Sequence, residues 1–178
     1  MKIRDIDQLI EVAARVFAEK GFDQTRIEDI AAELGLVKGS LYYHVNGKPG
    51  LLFLVIARTI QPMIDAIEEI ARTEQPAEAK VREAIARHMA HLLRPEARVL
   101  FYEGIDLLPD DQRSQIIALN DRYRLQMRDI LAEGVARGEF RADPAPDFAA
   151  LLLLGMVNWT QRWFRTDGEM SVEEVSET

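Results

Sequence analysis

Apolar positions recur with a helical period along almost the whole chain. Ile6, Leu9, Ile10, Ala13 and Phe17 form the stripe of a first helix. An Asp5–Gln8 capping box opens it, and Gly21 closes it with Lys20 in the last turn, where a cation suits the helix dipole. Phe22 is placed to plug the core. Thr25 with Glu28 is a T-x-x-E capping box, so a second helix starts there. Ile27, Ile30, Ala31 and Leu34 keep its register as far as Gly35, which can adopt left-handed backbone. Residues 37–45 then fit a shorter helix with Leu41 and Val45 inward.

The remaining pattern is also helical. Asn46-Gly47 marks a turn, and Pro49 fits the first position of a fourth helix reaching about Arg72. Its inner face is Ile60, Ile64, Ile67 and Ala71, and Pro62 should kink it. Val81, Ile85, His88 and Leu92 share a face of a fifth helix. Ala97, Leu100, Phe101, Gly104 and Leu108 make a sixth. Pro109 opens a long helix to about Arg137, with the seam Ile116, Asn120, Tyr123, Met127, Ile130 and Gly134 at heptad spacing. A turn at 137–140 follows. Pro144 and Pro146 precede a last long helix to about Arg165, apolar on nearly every side over 148–157, and Ser171 with Glu174 can cap a short terminal one. No strand, internal repeat or low-complexity segment is visible, so the expected class is all-α.

Helix, tight turn and shorter helix over 25–48 place Lys38, Gly39, Ser40, Tyr42, Tyr43 and His44 on outer faces. These types suit a DNA groove. Lysine meets phosphate or guanine, glycine removes bulk, and hydroxyls and imidazole offer neutral hydrogen bonds. Lys48, at the start of the fourth helix, is placed where free amides and a cation can hold a phosphate. The chain carries a net charge of −8, yet no Asp or Glu occurs from Leu34 to Ile64, while Lys38, Lys48 and Arg58 do. Residues 1–50 hold seven Lys/Arg against eight Asp/Glu, and 51–178 hold fifteen against twenty-two, so the acidity sits mainly in the C-terminal part. No basic arm precedes the first helix, which argues against minor-groove reading by an extension. A helical hairpin whose Tyr-Tyr pair packs a core fits the same pattern.

With 178 residues, 48% of them hydrophobic, the chain suffices for one or two small packed units. It has no cysteine, which excludes disulfides, thiolate metal sites and cysteine nucleophiles. No signal peptide is visible, and the longest apolar run, 148–157, is too short to span a bilayer, so a cytoplasmic protein without membrane association is expected. G-x-S-x-G, HExxH, P-loop and glycine-rich dinucleotide motifs are all missing, so neither enzyme activity nor a cofactor is expected. His88 and His91 with Glu103 or Asp106 could in principle bind a metal. That one-turn spacing is common by chance, and no metal is expected.

Residues 6–52 resemble the DNA-binding domain of the TetR family of bacterial transcriptional repressors. The matching parts are AARVFAEKGFDQT (13–25), IEDIAAELGL (27–36), KGSLYYH (38–44), and Lys48 followed by Leu51-Leu52. Val37 departs from a common Ser or Thr cap, Val45 from Phe, and Pro49-Gly50 from an acidic pair. The resemblance implies a helix-turn-helix DNA-binding domain over 1–48 and a helical ligand-binding and dimerisation domain over 49–178. It implies DNA contacts by Thr25, Arg26, Val37, Lys38, Gly39, Ser40, Tyr42, Tyr43, His44 and Lys48.

Residues 107–175 are similar to the acyl-CoA-responsive branch that controls fatty-acid or sterol breakdown, through LLPDDQRSQIIALNDRYRLQMRDILAEGVARGEFRADP, LLGMVNWTQRWFR and SVEEV. This similarity implies a repressor on a palindromic operator, released by a hydrophobic effector such as a long-chain acyl-CoA or related lipid-derived thioester. Candidate ligand contacts are His88, Phe101, Tyr102, Tyr123, Met127, Met156, Trp159, Arg162 and Trp163. A helix apolar on all sides needs several neighbours, which a second copy supplies, so a homodimer through a four-helix bundle is expected. Its candidate interface is Ile116, Asn120, Tyr123, Met127, Ile130, Leu152, Gly155 and Trp159. Two alternatives stay open: a TetR-type regulator of an efflux or other gene with a different hydrophobic effector, and a helical protein-interaction module without specific DNA binding.

Overall fold

A computed structural model describes residues 6–42, 45–94, 97 and 104–164, without the side chains of Lys38 and Gln161. Among the described residues there are seven α-helices and no strand, so the class is all-α. They are α1 (Ile6–Lys20), α2 (Ile27–Glu33), α3 (Lys38–Tyr42), α4 (Gly47–Ala71), α5 (Ala77–Leu92), α6 (Asp110–Ala136) and α7 (Pro146–Trp163). A 3-10 turn spans Ile105–Leu107. Two compact units result. One contains α1 to α3, α4 up to Ile60 and α6 up to Ala118; the other contains Gln61 to Arg94 and the chain from Leu119 onward.

The first unit packs Leu9, Ala13, Val16 and Phe17 of α1 with Ile27, Ile30 and Ala31 of α2, Leu41 of α3, and Leu51, Leu52, Val55 and Ile56 of α4, all buried. Phe22 joins this core with its ring centroid 5.5 Å from that of Phe17. Ile6, expected inside, is exposed, and Val16 takes its place in the stripe. Two helix ends follow the sequence. Gly21 at φ +79° donates its N–H to the Phe17 carbonyl. Gly35 at φ +63° closes α2 in a Schellman arrangement, with Leu36 N–H on the Ala31 carbonyl and Gly35 N–H on that of Ala32. The start of α2 is corrected by one residue. The N-cap is Arg26, whose N–H donates to Asp29 Oδ2 at 2.9 Å while its carbonyl accepts from the Asp29 N–H at 3.0 Å. Thr25 is buried instead, because its hydroxyl donates to the Gly21 carbonyl at 2.7 Å and so ties α2 to the end of α1.

In the second unit, Ile64, Ile67 and Ile70 of α4 are buried, whereas Ala71 is only partly so. The buried side of α5 is Ala77, Lys80, Ala84, His88, Met89, His91 and Leu92, which leaves Val81 and Ile85 at its edge. Lys80 departs from the pattern, at only 2% exposed. Its ammonium lies 2.9 Å from Glu133 Oε2 of α6 and 3.2 Å from the Ala71 carbonyl, so the buried charge is paired and it caps the end of α4. Met89, Leu92 and Val157 form a cluster joining α5 to α7.

Half of the sixth helix expected over 97–108, residues 98–103, lies outside the described residues. Gly104, at φ +75°, is not helical, and Ile105–Leu107 is a 3-10 turn. Asp5, Ser171 and Glu174, with the caps they were expected to form, also lie outside. The seam of α6 is core: Ile116, Tyr123, Met127 and Ile130 are buried within the chain, while Asn120 is exposed. Helix α4, 25 residues with a mean hydropathy of 1.5 over its best window, is long and apolar enough to cross a bilayer. Its apolar side chains Leu51, Leu52, Val55, Ile56, Ile64, Ile67 and Ile70 are instead buried in the two cores.

Candidate nucleic-acid interface and helical cavity

Helix α3 presents one face inward and another to solvent. Leu41 is fully buried, and Val45 just after the helix is nearly so. On the outer side Val37 is 72% exposed and Tyr42 50% exposed. Gly39 is open, with nothing within 4 Å of where a Cβ would stand. Ser40 is part-exposed, and its N–H donates to the Val37 carbonyl at 2.9 Å, which starts the helix without a side-chain cap. Two carboxylates near this window are drawn toward α1: Glu33 pairs with Arg15, and Asp29 with Lys20 at 3.4 Å. The Arg26 N–H first, and Lys20 after it, hold the Asp29 carboxyl below its ordinary range. Negative charge is thereby partly neutralised away from the exposed face of α3.

Lys48 does not point outward. Its ammonium donates to the carbonyls of Phe22 at 2.7 Å, Thr25 at 3.1 Å and Asp23 at 3.3 Å, and lies 4.2 Å from the centroid of the Phe22 ring. The loop between α1 and α2 ends with carbonyls turned toward α4, and a cation at the start of α4 satisfies them. With its donors so engaged, Lys48 positions the helix-turn-helix rather than offering a free charge to phosphate.

The second unit holds a cavity of about 250 Å³ between α4, α5 and α6. Pro62, Met63, Ala66, Ile67, Ile70 and Ala84 are its apolar walls, and His88, His91 and Tyr123 its polar ones. Arg87, Ala90 and Arg94, all exposed, stand at its rim. The His88 ring meets the Tyr123 ring edge-on at 5.1 Å, and its Nδ1 is buried without a hydrogen-bond partner. Burial, then the neighbouring His91, pushes the His88 imidazole down to about 3 against a hydrogen bond with Asn158, so it is neutral at physiological pH. Burial pushes the Tyr123 phenol up.

Helix α7 turns a row of large apolar side chains to solvent: Phe148, Leu151, Leu152, Met156, Trp159 and Trp163, with Met156 and Trp159 each 62% exposed. Gly155 lies in the same row with open space above it.

Comparison with known proteins matches residues 9–55 to the family of bacterial regulatory proteins, tetR family, and residues 74–178 to the tetracyclin repressor-like C-terminal domain. The chain belongs to the TetR family. It is therefore a DNA-binding transcription regulator and not an enzyme. It is 28% identical over 173 residues, 96% of this chain and 84% of the relative, to the HTH-type transcriptional repressor KstR2 of Mycolicibacterium smegmatis. The crystal structure of the TetR family regulator PfmR from Thermus thermophilus superposes with a TM-score of 0.84, at 34% identity, covering 94% of this chain and 92% of that one. The fold is also that of AibR in complex with isovaleryl coenzyme A and operator DNA, with a TM-score of 0.84 at 22% identity, covering 96% and 93%.

Within this TetR-family chain the expected residues fall into distinct places. Arg26, Val37, Gly39 and Tyr42 are exposed, and Ser40 is part-exposed. Thr25 and Lys48 are engaged within the unit, and Tyr43 and His44 lie outside the described residues. Of the expected ligand contacts, His88 and Tyr123 line the cavity. Met127 is buried but does not line it. Met156, Trp159, Arg162 and Trp163 lie at the surface of the chain, Arg162 over the Trp159 ring at 5.5 Å. Phe101 and Tyr102 lie outside the described residues. Of the expected interface, Leu152, Gly155 and Trp159 are exposed and Asn120 too, whereas Ile116, Tyr123, Met127 and Ile130 are covered by the chain itself and offer no surface to a second copy. Sequence reading missed Pro62, Met63, Ala66 and Ala84 as cavity walls; the small side chains among them were the available signal, since they leave space where helices meet.

Proposed function

We propose that this regulator is a cytoplasmic homodimeric repressor that reads a palindromic operator through α3 and is released by a lipid-derived acyl thioester held in the cavity of its helical domain. The exposed outer face of α3 carries the reading: Val37, Gly39 and Tyr42 are open to solvent in a stretch without carboxylates, while Leu41 anchors the helix from behind. A groove-reading helix needs that combination of rigid backing and exposed outer surface.

The apolar row on α7 supports the second copy. Six large apolar side chains in solvent are more than a monomer usually leaves contiguous, and helix-on-helix pairing would cover them. Two copies related by a two-fold axis would set their α3 helices one DNA turn apart, roughly 34 Å. An effector that binds better to a dimer of another spacing would lower operator affinity by its preference for that state. The relative AibR, in complex with isovaleryl coenzyme A and operator DNA, supports a thioester effector.

The test is fluorescence anisotropy with palindromic DNA from upstream of the chain's own gene. Tyr42→Ala and Ser40→Ala should each weaken operator binding about tenfold, with much less effect on scrambled DNA. Equal, sequence-indifferent binding by wild type and both variants would instead support a helical interaction module.

A further inference from the structure

We infer that the cavity takes a short amphiphile: a compact apolar moiety against α4 and α5, an uncharged oxygen hydrogen-bonded to His88, and an anionic group left outside against Arg94. This rests on the effector-released reading above and narrows its ligand.

Size sets the first limit. The cavity is about 250 Å³, which falls below the ~300–1,000 Å³ of drug-sized sites. A long acyl chain or a whole sterol does not fit inside it, so the long chain suggested by resemblance gives way to a short one.

Polarity sets the second. His88 is 5% exposed, lines the cavity, and has Nδ1 without a partner, whereas buried polar atoms are nearly always paired. A ligand oxygen would complete that bond. The imidazole is held neutral, and burial keeps the Tyr123 phenol neutral beside it. Apart from Arg94 at the rim, the charged groups nearby are committed elsewhere. Arg87 is bonded to Glu69 at 3.1 Å and to Glu83 at 2.6 Å, and the buried Lys80, which does not line the cavity, is bonded to Glu133. A carboxylate pushed inside would therefore lose its water without gaining a cation, whereas a thioester or ketone carbonyl would not.

Arg94 sets the third. It is exposed at the rim and makes no ion pair among the described residues. A phosphate or carboxylate on the solvent side of the ligand would meet it there.

Isothermal titration of the full chain with four probes tests this: hexanoyl-CoA, palmitoyl-CoA, free hexanoate and CoA. Hexanoyl-CoA should bind at least about tenfold more tightly than each of the others. His88→Phe keeps an aromatic ring and removes both nitrogens, and should weaken hexanoyl-CoA about tenfold or more. His88→Gln, which restores a neutral hydrogen-bonding group, should recover part of that loss. Arg94→Ala should weaken hexanoyl-CoA severalfold, and more so at low salt. Palmitoyl-CoA binding as tightly as hexanoyl-CoA, hexanoate matching it, or a folded His88→Phe with unchanged affinity would each overturn the inference. So would the failure of every thioester to bind. Operator titration of the wild type runs in parallel: DNA binding without thioester binding removes this inference and the thioester effector but leaves the DNA-binding repressor, whereas thioester binding without DNA binding removes only the repressor reading.

Discussion

A Cβ added to Gly134 would stand 2.3 Å from Cδ2 of Phe140 and 2.8 Å from Cβ of Ala77. The phenyl ring folds back over the last turn of α6, and the Glu139 and Phe140 N–H groups both donate to the Gly134 carbonyl. Only a residue without a side chain admits that ring. Gly134→Ala should destabilise the chain by about 1–3 kcal/mol despite alanine's better helix propensity. Urea denaturation measures it, and Gly134→Ala with Phe140→Ala should cost less than the sum of the single changes. A stabilised Gly134→Ala would show that the ring is not seated there.

Lys48 offers a sharper distinction. Its ammonium holds three carbonyls of the α1–α2 loop. Lys48→Met should lower stability by about 1–3 kcal/mol, since three carbonyls, two of them in part-buried bonds, lose a charged donor. Operator affinity should fall with it, while the slope of log affinity against log salt stays unchanged. A direct phosphate contact would instead reduce that slope by about 0.9.

Legibility in the sequence depended on which physical rule governed each place. Helix ends at Gly21 and Gly35 were legible because local backbone geometry decides them. The α2 cap moved by one residue because Thr25 had a tertiary partner, the Gly21 carbonyl, that no local rule contains. Period alone shows that a face is apolar, not what covers it. The α6 seam through Tyr123 and Met127 proved to be covered within the chain, while the α7 row through Met156 and Trp159 proved to be open. The buried charge of Lys80 was not legible because its partner Glu133 lies 53 residues away in sequence. The cavity arises only when α4, α5 and α6 meet.

His88 should give stability a pH dependence near neutrality. Its pKa is 6.5 when free of the fold and about 3 inside it. Between those values the unfolded chain takes up a proton that the folded chain refuses. The contribution is therefore present above pH 6.5 and lost as pH falls toward 3, by at most about 1.4 kcal/mol per pH unit. Asp29 and Glu133, whose folded carboxyls are held low, add their own loss only near and below ordinary values of 3.8 and 4.5. Urea titrations from pH 7.5 to pH 5.5 should show wild-type stability falling, and His88→Gln should flatten the slope. Parallel slopes for the two proteins would contradict the neutral buried imidazole.

The α7 row is testable by mass. Light scattering after gel filtration should give wild type at twice 20.3 kDa, and Met156→Glu with Trp159→Glu at 20.3 kDa, because a charge placed in a buried helix pair lacks a partner. A wild-type monomer at micromolar concentration would remove the proposed dimer.

The central claim is that the exposed face of α3 reads sequence, and competitive operator binding tests it most directly. At physiological salt the full chain should prefer a palindromic operator from upstream of its own gene over scrambled DNA of equal length by at least about a thousandfold. Equal affinity for the two DNAs would contradict it.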